Sequence, residues 1–254
     1  MTLKAVLFDF NGIIINDEPL HQHLIDQILI SENLRPQPGE FRKFCLGQSD
    51  RACLSNLLTH RGRVVTEAYL LKLVNRKAQA YQQFFREKLE QLEKLPLYLG
   101  LEDLIFQTRS RGLKLAVVSG AIRSEVELIL NHATLAKYFS VIVAGDDITT
   151  SKPEPDGYLL AVERLNQLYP SLNLQPSECL AIEDTPVGIQ AAKRAGIGVV
   201  GVANTYPFHM LQRQANWTVD YLCDLEIDRV QQVYTRTDQQ QVGETISGGT
   251  HPRC

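Results

Sequence analysis

Four short stretches set reactive side chains just beyond apolar, strand-like runs. In "KAVLFDFNGIII", Asp9 follows the run, with Asn11 and Gly12 close behind. A carboxylate there can attack an electrophile or hold a cation, and a pair of carboxylates would divide nucleophile and proton carrier between them. The second position is instead an amide. Ser119-Gly120 closes "LKLAVVSG", where a hydroxyl and neighbouring backbone N–H groups can hold a phosphate oxygen. Lys152 precedes two prolines in "TSKPEPDGY", and its ammonium can neutralise both a phosphoryl group and an attacking carboxylate. Glu183-Asp184 closes "CLAIED"; together with Asp9 it suits a hard divalent cation, best Mg²⁺. Each feature has a plainer explanation when taken alone: a turn cap, a strand-ending turn, a solvated lysine, a helix N-terminus that favours negative charge. All four at corresponding strand ends are harder to explain that way.

The elements that must position these groups are legible in the hydrophobic rhythm. Apolar runs at Leu113–Gly120, Ser140–Asp146, Cys179–Thr185 and Gly196–Ala203 alternate with helix-period stretches at Ser124–Asn131, Tyr158–Leu168 and Gly188–Arg194. Strands buried on both faces and separated by helices predict a parallel sheet in a doubly wound, Rossmann-like α/β fold. In such folds the chemistry gathers at the carboxyl ends of strands. Between the first strand and the rest, residues 17–95 read as helices: Leu20–Ile30, Gly39–Cys45, Asp50–His60 and a long one from Thr66 to Leu95. On the long one Leu70, Leu73, Val74, Lys77, Tyr81, Phe84, Phe85 and Leu89 make a stripe, Thr66 is the expected N-cap, and Pro96 ends the pattern. The expected organisation is an α/β core of residues 1–16 and 96–235, an inserted α-helical cap at 17–95 able to close over the site, and a poorly ordered polar tail at 236–254.

Composition narrows the class. The 254 residues carry a net charge of -3, with 44% hydrophobic and 22% charged residues. No dense Lys/Arg block appears, which argues against a nucleic-acid or membrane-surface partner and leaves room for a small basic pocket. "MTLKAVLF" reads as a strand rather than a signal peptide, and no run approaches the ~18 apolar residues of a membrane span. The five cysteines, widely spaced and without C-x-x-C, are expected to be scattered reduced thiols of a cytoplasmic protein.

"FDFNG", "VVSG", "SKPEPDGY" and "IEDTPVGIQAAKRAG", in that order, resemble the haloacid dehalogenase superfamily. The similarity is to the helical-cap branch that includes phosphoglycolate phosphatases and β-phosphoglucomutases, and it runs from about Leu3 to Ala203. The resemblance implies that Asp9 is a nucleophile forming an aspartyl-phosphate and that Ser119, Gly120 and Lys152 bind the phosphoryl group. It also implies that Asp184 ligates Mg²⁺ along with Asp9, the backbone carbonyl of Asn11, and Glu183 directly or through water. His21 falls where the branch often has a pocket histidine; Arg51, in "GQSDRA", and Lys77 are further substrate-binding candidates. The expected partner is a small phosphorylated metabolite, bound by a monomer or weak dimer.

Two departures stand out. Members of the branch usually carry Asp where this chain has Asn11; that carboxyl moves protons in both half-reactions, and an amide cannot. The loss is worth ~10²–10⁴-fold, so the expectation is a slow phosphatase, with Asn11→Asp raising turnover. A phosphomutase, which would need that proton transfer at every turnover, and a non-catalytic phosphometabolite-binding protein are the alternatives. The second departure is Asn16-Asp17, where the branch usually has Asp and then Ser or Thr. These residues fall at the expected hinge into the cap, where the change would alter lid closure; a helix-cap role for Asp17 accounts for it equally well.

Overall fold

The computed structural model describes residues 2–91 and 94–235, so the expected tail at 236–254 lies outside the described residues. Six parallel strands form one sheet: β1 (Ala5–Phe8), β2 (Lys114–Val118), β3 (Val141–Val143), β4 (Cys179–Glu183), β5 (Gly198–Val202) and β6 (Trp217–Val219), in the order β3-β2-β1-β4-β5-β6. The five strands read from sequence match β1 to β5 to within a few residues at each end. Alternate residues of β1 enter two different cores: Val6 and Phe8 one, Ala5 and Leu7 the other. Burial on both faces is the reason these runs lack a polar alternation.

Four helices leave the sheet after β1 and pack together: α1 (Glu18–Ser31), α2 (Glu40–Phe44), α3 (Asp50–His60) and α4 (Glu67–Glu90). Their shared core comes from Ile25, Ile28 and Leu29 of α1, Leu54, Leu57 and Leu58 of α3, and Leu70, Leu73 and Val74 of α4. Thr66 caps α4, its side chain accepting from the Tyr69 N–H. One cap-domain expectation fails: Cys45 and Cys53 are not scattered thiols but a disulfide, with an S–S distance of 2.00 Å. The bridge ties the end of α2 to α3.

The chain then returns through α5 (Leu101–Ser110), which the sequence reading did not assign, and adds α6 (Arg123–His132), α7 (Asp156–Leu168), α8 (Pro186–Arg194) and α9 (Phe208–Leu211) around the sheet. β1 is central. Phe8 pairs in register with Val117 of β2 and with Ile182 of β4, so Asp9, Ser119 and the Glu183-Asp184 pair emerge along one rim. The strand order reverses direction about β1, and this is where open α/β sheets make their ligand crevice. No described helix is long and apolar enough to cross a membrane.

Candidate active site

Asp9 leaves β1 with its N–H bonded to the Ile182 carbonyl (3.0 Å), while its Oδ1 accepts from the Phe10 N–H (2.7 Å). The Asp9 backbone is thus pinned to β4, and its carboxylate is held by the N–H of the next residue. Lys152 reaches across from the loop before α7. Its Nζ lies 2.8 Å from Asp9 Oδ1 and 2.6 Å from Glu183 Oε1. The Tyr158 hydroxyl donates to the same Glu183 oxygen at 2.6 Å. Tyr158 was not singled out by sequence, although a tyrosine buried by an adjacent helix requires a hydroxyl partner.

Asp184 is the exception to this satisfaction. It is fully buried, and among the described residues neither of its carboxylate oxygens has a hydrogen-bond partner. Burial first, then the charges of Asp9 and Glu183, push its carboxyl well above the usual range; Thr205 pulls the other way without closing a bond of good geometry. Burial and Asp9 likewise push Glu183 up to about 7, against the pull of Lys152 and Tyr158. One ligand oxygen from each of Asp9, Glu183 and Asp184 lies within 4.8 Å of the others. Buried acids that oppose one another around an orphaned carboxylate are the donor set a hard divalent cation needs. The residues present thus fit Mg²⁺.

Two glycines make this crowding possible. A Cβ on Gly188 would lie 1.9 Å from Glu183 Oε2, so only glycine lets the start of α8 close over that side chain. Gly12, at φ +79°, would put a Cβ 1.8 Å from Asp184 Oδ2. Gly12→Ala is accordingly expected to cost about 1–2 kcal/mol for the left-handed backbone alone. It should also displace Asp184 and weaken Mg²⁺ binding roughly 10–100-fold, as read by calorimetric titration.

The pocket above these groups is roofed by the cap: Glu18, His21, Ile25, Gln48 and Asp50 face Asp9, Gly120 and Lys152 across it. The cap loop sits tightly on the core. A Cβ on Gly47 would strike Val187 and Thr185, one on Gly120 would meet the Gln48 carbonyl, and the Ser49 N–H donates to Ser151 Oγ at 2.8 Å. Both sulfur-bearing residues of the disulfide line the same cavity.

The other candidates divide. Ser119 is buried at the rim, its hydroxyl accepting from the Ala121 N–H at 2.9 Å, and Gly120 lines the pocket. His21 is buried in the pocket wall. Arg51 does not point inward: it makes a two-pronged pair with Glu67 (2.7 and 2.9 Å) on the outer surface of the cap. Its neighbour Asp50 faces the cavity instead, because residues one apart on a helix cannot share a face. Lys77 is buried as its stripe position predicts, but its ammonium is engaged by Asp50 (2.8 Å) and by Glu125 of α6 (3.0 Å), not directed at the pocket. Asp17 is no helix cap, since its side chain makes no capping bond to α1. It accepts instead from Asn11 and from the Tyr81 hydroxyl.

The family model described as haloacid dehalogenase-like hydrolase matches residues 6–202. This chain belongs to that family. The haloacid dehalogenase-like chain is 30% identical over 197 residues to the phosphorylated carbohydrates phosphatase of Thermotoga maritima, covering 77% of this chain and 82% of that one. It is 29% identical over 211 residues to the β-phosphoglucomutase of Bacillus subtilis, covering 81% and 85%. Its fold overlays that of a β-phosphoglucomutase from Clostridium difficile with a TM-score of 0.78 at 21% identity, covering 92% of this chain and 98% of that one. Named phosphatases and phosphomutases among its relatives mark it as an enzyme.

Proposed function

We propose that this enzyme is a Mg²⁺-dependent phosphatase of a small phosphorylated metabolite, a sugar phosphate by analogy with the relatives' names. The observation that carries this reading is the single ammonium of Lys152 shared between Asp9 and Glu183, beside the unpartnered carboxylate of Asp184. Asp9 attacks phosphorus as the bond to the leaving oxygen breaks, and water then attacks the acyl phosphate to release orthophosphate and restore the carboxylate. Lys152 steadies the nucleophile and the phosphoryl oxygens, with Ser119 and Gly120 holding the opposite side. Asp9, Asp184 and the backbone carbonyl of Asn11, with Glu183 assisting, would hold Mg²⁺, which when bound would supply further charge neutralisation. The Asn11 amide cannot act as a general acid near neutral pH, so leaving groups must depart largely unaided.

The test is orthophosphate release from a panel of sugar, acyl and aryl phosphates, with Mg²⁺ and after chelation. Turnover confined to the Mg²⁺ arm and favouring acyl and aryl phosphates is expected. A folded protein that binds Mg²⁺ and phosphate esters yet releases no orthophosphate would establish the second reading, a phosphometabolite-binding protein, which Asn11 favours.

A further inference from the structure

Asn11 and Asp17 make one unit. The Asn11 Nδ2 lies 3.0 and 3.1 Å from the two oxygens of Asp17, and the Tyr81 hydroxyl donates to Asp17 Oδ2 at 2.6 Å. His21 Nε2 is 3.2 Å from the same oxygen and 3.0 Å from Asn11 Nδ2. Its ring also lies against Tyr81, with centroids 5.1 Å apart. Asp17 is 2% exposed and Tyr81 0%. A buried carboxylate accepts only, so it dictates which end of the Asn11 amide faces it: the NH₂ group is turned to Asp17 and the amide oxygen away from it. Asp17 sits at the N-cap position just before α1, but its side chain makes no capping bond and makes these contacts instead. Tyr81 belongs to α4 and His21 to α1, so the groups that fix Asp17 come from the cap, while Asn11 lies two residues beyond Asp9.

Resting on the phosphatase reading, we propose that Asp17 is a positioning residue for the nucleophile loop: it orients Asn11 from the cap side, and the two residues act as a matched amide–carboxylate pair. Asn11 is thus not a defect that one substitution repairs. Asn11→Asp would set a second carboxylate about 3 Å from Asp17 in a buried site, where like charges cannot both be accommodated. The sequence-based expectation for that variant reverses. Exchanging both members, Asn11→Asp with Asp17→Asn, restores a donor opposite an acceptor.

The experiment is a double-substitution cycle on the full chain, read by melting temperature, by kcat and KM on an aryl phosphate with Mg²⁺, and by inhibition with inorganic phosphate. Asn11→Asp alone is expected to melt roughly 5 °C below the parent and to lose kcat about tenfold, with phosphate inhibition unchanged. Adding Asp17→Asn should return the melting temperature to the parent value and lift kcat to the parent value or above. Asn11→Asp that is faster than the parent, or effects of the two substitutions that simply add, would overturn the pairing. Should all four proteins release no phosphate, the phosphatase reading fails, while the melting cycle still decides the pairing.

Discussion

Asp9→Asn is expected to abolish turnover and, in metal-free buffer, to make the protein more stable. The first half follows from removing the attacking oxygen, for which no other described side chain is placed. The second follows from charge. Asp9, Glu183 and Asp184 crowd one buried site, and among the described residues Lys152 is the cation bonded to them, through Asp9 and Glu183. The charge of Asp9 adds to the upward push on both remaining acids. Neutralising it leaves Lys152 with Glu183, and an amide at position 9 can still accept from the Phe10 N–H. A relief of about one pKa unit in one neighbour is worth about 1.4 kcal/mol, or roughly 2–4 °C in melting temperature for each kcal/mol at this chain length.

The sign with pH is fixed by linkage. Glu183 titrates near 7 in the folded chain and near 4.5 when unfolded, so the folded state holds the extra proton between those values. Its contribution is fully present below about pH 4.5 and is lost as pH rises through about 7. Asp9→Asn, by easing the push on Glu183, should flatten that loss; Mg²⁺ should do the same for the parent. Thermal melts of both proteins across pH 4–8, with and without Mg²⁺, check this. A variant that is inactive but melts below the parent throughout would mean that Asp9 holds the loop together and that repulsion among the acids is minor. Crowding the acids for function at the expense of local stability gives this pattern.

The parts of the molecule that sequence revealed are those where one residue's neighbours along the chain decide its fate. The β-branched runs located β1 to β5, because a strand buried on both faces must be largely apolar. The stripe on α4 placed Lys77 in the interior for the same reason. What it could not reveal was the partner, because Glu125 is 48 residues away and meets Lys77 only through packing. Arg51 was the candidate in "GQSDRA", and the rotation of α3 sends it to solvent while its neighbour Asp50, which had not stood out, lines the cavity. Cys45 and Cys53 are separated by a loop whose turn brings them together without a spacing signature. β6 escaped because three half-buried residues, Trp217–Val219, give no usable rhythm. Asp17 looked like a cap since caps are where aspartates before helices usually act; only the positions of Tyr81 and His21 explain why it turns inward.

Lys77→Met is expected to be the most destabilising single change in the cap. The ammonium has no exposure, and its partners Asp50 and Glu125 are buried at 11% and 0% side-chain exposure. Burial first, and then Asp50, already push Glu125 up to about 7, with Lys77 the main opposing influence. Breaking a buried ionic group by deleting one member costs about 3–5 kcal/mol because the orphaned charges cannot reach water. Lys77 and Asp50 belong to the cap, whereas Glu125 lies on α6 beside the sheet, so the lost contact is also one that holds the cap against the core. The variant should therefore spend less time closed, and an apparent KM for phosphate esters should rise in proportion to the closed fraction lost. Adding Glu125→Gln should recover part of the melting temperature by removing one stranded charge, but not the KM, since the link between the cap and α6 stays broken. Arg51→Ala, which removes an exposed pair on the same cap, serves as the comparison and should leave both quantities near the parent's. If Lys77→Met melts with the parent, the triad is not what holds the closed cap.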